Sequence, residues 1–195
     1  MLKQSKKEQR IKDINESIRY FYIPIKDILE PYCTLLKEKH ELKNYVSDTN
    51  DESEETVQAA KEHFFRLQEF DKKVISLKNG YLIKCKNNNS TPDARICTDS
   101  AESKQFLIHT LAIEEIEKIK QYRSLANRRV RGKFEKYIIL DPNKNLNINL
   151  KNYLKDKTAE LSDLSESVDI DIENYQNELN KYSPEKNYKP WYKFW

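Results

Sequence analysis

Glycine is almost missing from this chain. Its 195 residues include two, Gly80 and Gly132, where average usage near 7% predicts roughly 14. Phosphate-cradling loops need at least two glycines within about six residues so that the backbone can approach the anion. Here the two stand 52 positions apart (132 − 80), so neither a Walker A loop nor a dinucleotide-binding fingerprint can be built.

Histidine is nearly as scarce, and its three copies are tested one at a time. A di-iron bundle places Glu three residues before His on one helical face; those positions hold Lys37, Ala60 and Phe106. The zinc-protease pattern HExxH needs a second histidine four residues on, yet after His40-Glu41 comes Asn44. No histidine is followed by aspartate, and none is preceded by arginine at a spacing of four to six residues. His40, His63 and His109 are therefore expected in packing or surface roles, with no metal and no cofactor.

Long apolar runs are also lacking. Nothing approaches the ~18 residues of a membrane span, and the opening MLKQSKKEQR has no apolar signal segment. Three cysteines, Cys33, Cys85 and Cys97, are an odd number in a chain too long to need stapling, which fits free thiols and a reducing compartment. Cys85 and Cys97 bracket an irregular stretch and are the one conceivable pair. A soluble, cytoplasmic protein is the expectation. Net charge is only +3, so an anionic partner must be met by a local patch. Charged residues reach 34% and apolar ones only 37%, against usual values of about 25% and ~45–50%, which argues against a thick spherical core.

What the chain does have is helical periodicity. Ile11, Ile14, Ile18, Phe21, Ile25, Ile28, Tyr32 and Leu35 advance by alternating threes and fours, a heptad seam on one face. Pro24 and Pro31 fall off that seam and predict a first helix kinked at both, or stacked segments sharing a face. Five acids and no base occupy residues 44–56, an acidic linker leading into a second helix from about Glu54, where acids suit a helix N-terminus. That helix carries Val57, Ala60, Phe64, Leu67, Val74, Leu77 and Tyr81 on one face. Asn79-Gly80 reads as a helix stop, with a minor hairpin as the alternative. The asparagine run Asn87–Asn89 reads as codon bias without a chemical role.

Residues 86–100 form a polar loop containing Pro92. A third helix starts near Ser100 and runs through Phe106, Ile113, Ile116, Ile119, Tyr122, Ala126, Val130, Phe134 and Tyr137, ending before Asp141-Pro142. NLNINL alternates with period two and is a marginal strand candidate. A fourth helix takes up from about Leu150, with Leu154, Leu161, Leu164, Val168, Ile172, Tyr175, Leu179 and Tyr182 on its face. The expected architecture is all-α: an elongated antiparallel bundle of about four long helices over residues 1–182, followed by an aromatic tail at 183–195.

Three groupings bear on function. Pro92-Asp93 with Glu102-Ser103-Lys104 has the residue types of a two-carboxylate-plus-lysine nuclease core, but that chemistry needs adjacent strands, and the surroundings read as loop and helix. From Lys120 to Tyr137 seven bases, among them Arg123, Arg128, Arg129, Arg131, Lys133 and Lys136, face one acid and are interleaved with aromatics, a combination suited to nucleic-acid phosphates and bases. Seven acids and no base between Thr158 and Asn180 offer those cations an internal partner instead. The tail groups Tyr188, Trp191, Tyr192, Phe194 and Trp195 with lysines, which suits a cap on the bundle, a protein pocket or a membrane surface.

The sequence thus predicts a non-enzymatic helical interaction protein, an adaptor, regulator or inhibitor that self-associates. A nucleic-acid binder using residues 120–137 is the alternative, and the cytosolic part of a membrane-associated protein the second.

Overall fold

The computed structural model describes residues 2–43, 53–139 and 150–182. Among these all regular structure is helical, in line with the all-α expectation. There are six α-helices where about four were expected: α1 (Leu2–Ser17), α2 (Ile23–Lys43), α3 (Glu54–Asn87), α4 (Ala101–Glu117), α5 (Arg128–Ile138) and α6 (Leu150–Tyr182). A π-helical turn, Ile18–Tyr22, joins α1 to α2, and a 3-10 segment, Lys120–Leu125, lies between α4 and α5. The chain divides into two compact units, Met1–Pro31 with Ala112–Trp195, and Tyr32–Leu111. The strand candidate NLNINL, most of the acidic linker and the aromatic tail lie outside the described residues.

In the first unit the heptad seam does not keep phase. Ile14, Phe21 and Ile25 are buried as its spacing requires, but the stripe then continues through Leu29 rather than Ile28. The π turn accounts for the slip. Pro24 has no N–H to offer the carbonyl four residues back, and its ring crowds that carbonyl. A wider turn relieves the crowding by taking in one extra residue, with the Ile23 N–H bonded to the Ile18 carbonyl five positions earlier. The extra residue rotates everything after it. It also lets two consecutive side chains, Phe21 and Tyr22, both point inward at 0% exposure. Phe21 meets Phe134 of α5 with ring centroids 5.7 Å apart, and Tyr22 meets Tyr175 of α6 edge-on at 5.4 Å.

The single third helix expected from Ser100 to the Asp141-Pro142 step is in fact three pieces. Its start is as read, with Ser100 Oγ accepting the Ser103 N–H at 3.1 Å. After Glu117 the chain tightens into the 3-10 segment, extends at Ala126, and starts again where Asn127 Oδ1 accepts the Val130 N–H at 2.9 Å. Ala126, Val130, Phe134 and Tyr137 keep helical spacing and are all buried, so the pattern predicted the burial but concealed the break. On α6 the expected face is the observed one, with Leu154, Leu161, Leu164, Val168, Ile172 and Leu179 buried.

In the second unit α3 begins as its sequence demands. Ser53 caps it, accepting the Thr56 N–H at 3.3 Å, and Glu54 and Glu55 fill the first turn. Asn79-Gly80 is neither a stop nor a hairpin; the helix runs through to Asn87. Phe70, Val74, Tyr81 and Cys85 form one buried stripe across the glycine, and burying Tyr81 and Cys85 outweighs the ~1 kcal/mol that glycine costs a helix. The stop comes at the asparagine run. Asn89 takes a left-handed φ of 51°, the Ser90 N–H reaches the Cys85 carbonyl at 2.9 Å and the Asn89 N–H the Lys86 carbonyl at 3.2 Å. This is a Schellman closure, with asparagine at the position that most often holds glycine.

A helical Gly80 has a direct consequence. A Cβ there meets nothing within 4 Å, so Gly80→Ala is expected to stabilise the protein by about 0.5–1 kcal/mol by restricting the unfolded chain and raising helix propensity. Urea denaturation checks it, and a destabilised variant would restore the turn.

Candidate interaction surfaces

The basic segment and the acidic face of α6 meet within the first unit. Asp171 on α6 is 4% exposed and collects three donors. The Tyr22 hydroxyl donates to Oδ2 at 2.8 Å, Arg129 Nη2 donates to Oδ1 at 3.0 Å, and Asn127 Nδ2 also donates to Oδ2. The Asn127 backbone N–H in turn donates to the Tyr22 oxygen at 3.0 Å. Burial and the neighbouring carboxylate hold the Tyr22 hydroxyl well above the ordinary phenol range, while the bond from Asn127 works the other way. A buried carboxylate is tolerated only with its lone pairs occupied, and this knot occupies them with groups from the π turn, the α5 cap and α5 itself.

The remaining cations of the segment are also engaged. Lys133 Nζ donates to Asp163 Oδ1 at 2.5 Å and to Ser167 Oγ at 2.7 Å. Lys136 pairs with Glu160 at 3.2 Å. Arg131 turns back onto the carbonyls of Arg123, Ser124 and Ala126 at 3.2, 2.8 and 2.9 Å, closing the 3-10 segment. Arg123 lies 3.6 Å from Glu135. Of the six patch residues read from the sequence, only Arg128 makes no ion pair or hydrogen bond among the described residues, and it is exposed. On the same unit Arg10 forms a two-pronged pair with Glu178 at 2.8 and 2.9 Å, and Lys26 meets Asp169 at 2.6 Å. The Arg10 guanidinium holds the Glu178 carboxyl below the usual range.

Sequence reasoning passed over Lys157. It is 5% exposed, and its Nζ donates to the carbonyls of Lys136 and Tyr137 at 3.2 and 3.1 Å and to Glu160 at 2.7 Å. A cation there caps the negative C-terminal end of α5.

In the second unit the nuclease-like string is dispersed. The Asp93 carboxylate is clasped by Arg95 at 2.5–3.1 Å, which holds its pKa below the usual carboxylate range. Lys104 donates to Asp71 at 2.5 Å, and the string lies in turns and in α4, with no strand among the described residues. Nor do three His, Cys, Asp or Glu side chains among the described residues gather into a group that could hold a metal. His109 is fully buried, His63 half-buried and His40 exposed. Cys33, Cys85 and Cys97 form no disulfide among the described residues.

The second surface is on α3, and the sequence face drawn for it mixes two sides. Phe70, Val74, Tyr81 and Cys85 are inside, but Val57, Phe64, Phe65, Leu67, Ile75 and Ile83 are exposed, Phe64 and Phe65 by 60% and 62%. From Glu54 to Glu69 no residue is buried. One large apolar side chain in water is ordinary; a row of them along one helix is not.

Comparison of the chain with protein-family models, with curated proteins and with solved structures finds no match in any of the three.

Two measurements test this account. Asp171→Ala leaves the Tyr22 hydroxyl without its acceptor, at about 1–3 kcal/mol per unpaired buried group, so the melting temperature is expected to fall on the order of 5–10 °C. Arg129→Ala, which leaves the buried carboxylate without this cation, should also destabilise. In the other unit, burial pushes Lys39 from 10.5 down to about 8, with Lys43 and Lys104 adding to the shift and Glu102 opposing it. Between those two values the unfolded chain holds more protons than the native one, so stability rises with pH across the window. Lys39→Met should remove that rise when urea midpoints at pH 8 and pH 10 are compared with wild type.

Proposed function

We propose that this chain is a non-enzymatic helical interaction protein, an adaptor, regulator or inhibitor, that works through helix–helix contacts and self-associates in the cytoplasm. The observation that carries the reading is the exposed apolar row of α3, a long helix with large side chains turned to water on a chain otherwise rich in charge. A helix with an open apolar face is recognised by another helix or a groove. Internal engagement of the basic segment supports the same reading, since cations already bound to Glu160, Asp163 and Asp171 offer less to an outside polyanion.

Nucleic-acid binding is the second reading, and one observation favours it. Tyr20 and Tyr122 stack with centroids 5.7 Å apart, both are more than a third exposed, and Arg19 lies 5.4 Å over the Tyr20 ring. Such a platform accepts bases without sequence preference. A membrane role rests on Tyr188–Trp195, outside the described residues; among those described no helix is long and apolar enough to cross a membrane.

Sedimentation equilibrium at tens of micromolar separates the readings. The first expects a mass of at least twice 23.3 kDa, unchanged by nuclease treatment. The second expects retention of single-stranded nucleic acid that falls steeply with salt and is lost in Arg123→Ala with Arg128→Ala. A strict monomer would sink self-association.

A further inference from the structure

One pair of aromatic rings in the first unit lies outside the core. Tyr20, from the π turn, and Tyr122, from the 3-10 segment, have ring centroids 5.7 Å apart and planes inclined at only 21°, and they are 41% and 37% exposed. Neither hydroxyl makes a hydrogen bond among the described residues. The pair is nonetheless held firmly from below. Phe21 and Tyr22, the next two residues, are fully buried and anchor the π turn, and the Asn127 N–H ties the Tyr22 oxygen to the chain just beyond the 3-10 segment at 3.0 Å. Arg131 fixes the same stretch through the carbonyls of Arg123, Ser124 and Ala126.

The chain that carries these rings is basic, and two of its cations are uncommitted. Residues 118–128 hold four bases, Lys118, Lys120, Arg123 and Arg128, and no acid. Lys120 and Arg123 reach Glu117 and Glu135 only at 3.6 Å, too long for a hydrogen bond. Arg128 makes no ion pair or hydrogen bond among the described residues, and Arg19 touches only the Tyr20 ring, its guanidinium carbon 5.4 Å from the centroid. Both arginines are exposed. Arg19 adjoins Tyr20 in sequence, and Arg128 follows the Asn127 that bonds Tyr22, so both flank the contact between the π turn and the 3-10 segment. Flat rings bordered by free guanidinium groups match the two parts of a nucleotide, a base with a π face and a phosphate that accepts forked hydrogen bonds.

We infer that the Tyr20–Tyr122 surface binds single-stranded nucleic acid, with unpaired bases stacking on the exposed ring faces and Arg19 and Arg128 holding the flanking phosphates. The inference rests on the nucleic-acid reading above, names its site and the form of its ligand, and is independent of self-association. In a duplex each base is covered by its neighbours, so only an unpaired strand can offer a base to the rings. Stacking reads no base edge, which makes the site tolerant of sequence. With Lys133, Lys136 and Arg129 already bound to Asp163, Glu160 and Asp171, few phosphates are met, and the salt dependence is correspondingly shallow for a basic segment of this length.

The test uses the full chain and three probes at low salt: a labelled oligothymidylate, the corresponding duplex, and inorganic polyphosphate, which has charge but no bases. Wild type is expected to prefer the single strand to the duplex. Tyr20→Leu with Tyr122→Leu alters exposed rings, so helical circular dichroism is expected to be kept while the dissociation constant for the oligonucleotide rises at least about tenfold and that for polyphosphate stays unchanged. Arg19→Ala with Arg128→Ala should weaken both and lower the log–log salt slope by roughly one to two. Photocross-linking of wild type to an iodouracil-substituted strand, mapped by mass spectrometry, should mark Tyr20 or Tyr122. An oligonucleotide affinity that survives loss of both rings, a cross-link confined to other residues, or a duplex held as tightly as the single strand overturns this site and leaves nucleic-acid binding standing. A wild-type chain that retains no oligonucleotide overturns both the site and the reading on which it rests.

Discussion

A buried carboxylate with three donors is the constraint on which the larger unit depends. Asp171 lies at 4% exposure on α6, beside the buried Val168 and Ile172. An ion in that position must be surrounded or it forces the site open. Meeting that demand fixes three other features together. The π turn has to deliver the Tyr22 hydroxyl, α5 has to begin where Asn127 can serve both as its cap and as a donor, and Arg129 has to rise from the first turn of α5. The break before α5 is thus part of the binding of Asp171, since an unbroken helix through residue 127 would leave Asn127 no free N–H to give Tyr22.

Electrostatics on this unit is spent internally. Five of the seven acids between Thr158 and Asn180, namely Glu160, Asp163, Asp169, Asp171 and Glu178, each contact a cation from α1, α2, α5 or α6 itself. Exposed pairs of this sort add little stability one at a time. Their effect lies in selection: they set the face and register with which α6 meets α5, and they leave a surface whose potential is far weaker than the base count of residues 120–137 suggests.

Much of this was legible where local chemistry and burial agree. The start of α3 followed from Ser53 and its acids, the start of α4 from Ser100, and the face of α6 from its leucines and valines. Legibility failed where a tertiary demand overrode a local one. Leu29 replaced Ile28 inside because a π turn shifts phase, and no residue pattern reports the turn except Pro24 four places after the carbonyl it crowds. Gly80 stayed helical because Tyr81 and Cys85 beyond it had a core to enter. Asn127 was hidden inside an apolar series that keeps helical spacing across the break. The Asn87–Asn89 run, read as composition, holds the one residue among those described that takes a left-handed conformation. Lys157 gave no signal, because a cap on another helix depends on contacts distant in sequence.

The exposed row of α3 was in the sequence throughout, yet it carried no meaning until burial separated the helix's two apolar sides. Read as one face, Val57, Phe64, Val74 and Tyr81 need a single partner, and the charges around them look like ordinary solvated lysines and glutamates. Once Val74 and Tyr81 are known to be inside, Val57 and Phe64 group with Ile75 on a second, exposed side of the helix. A chain with two glycines has few ways to bring its backbone close to a small ligand, but it can present long helices whose side chains do the recognising. α3 is such a helix, with Phe64 and Phe65 turned to water.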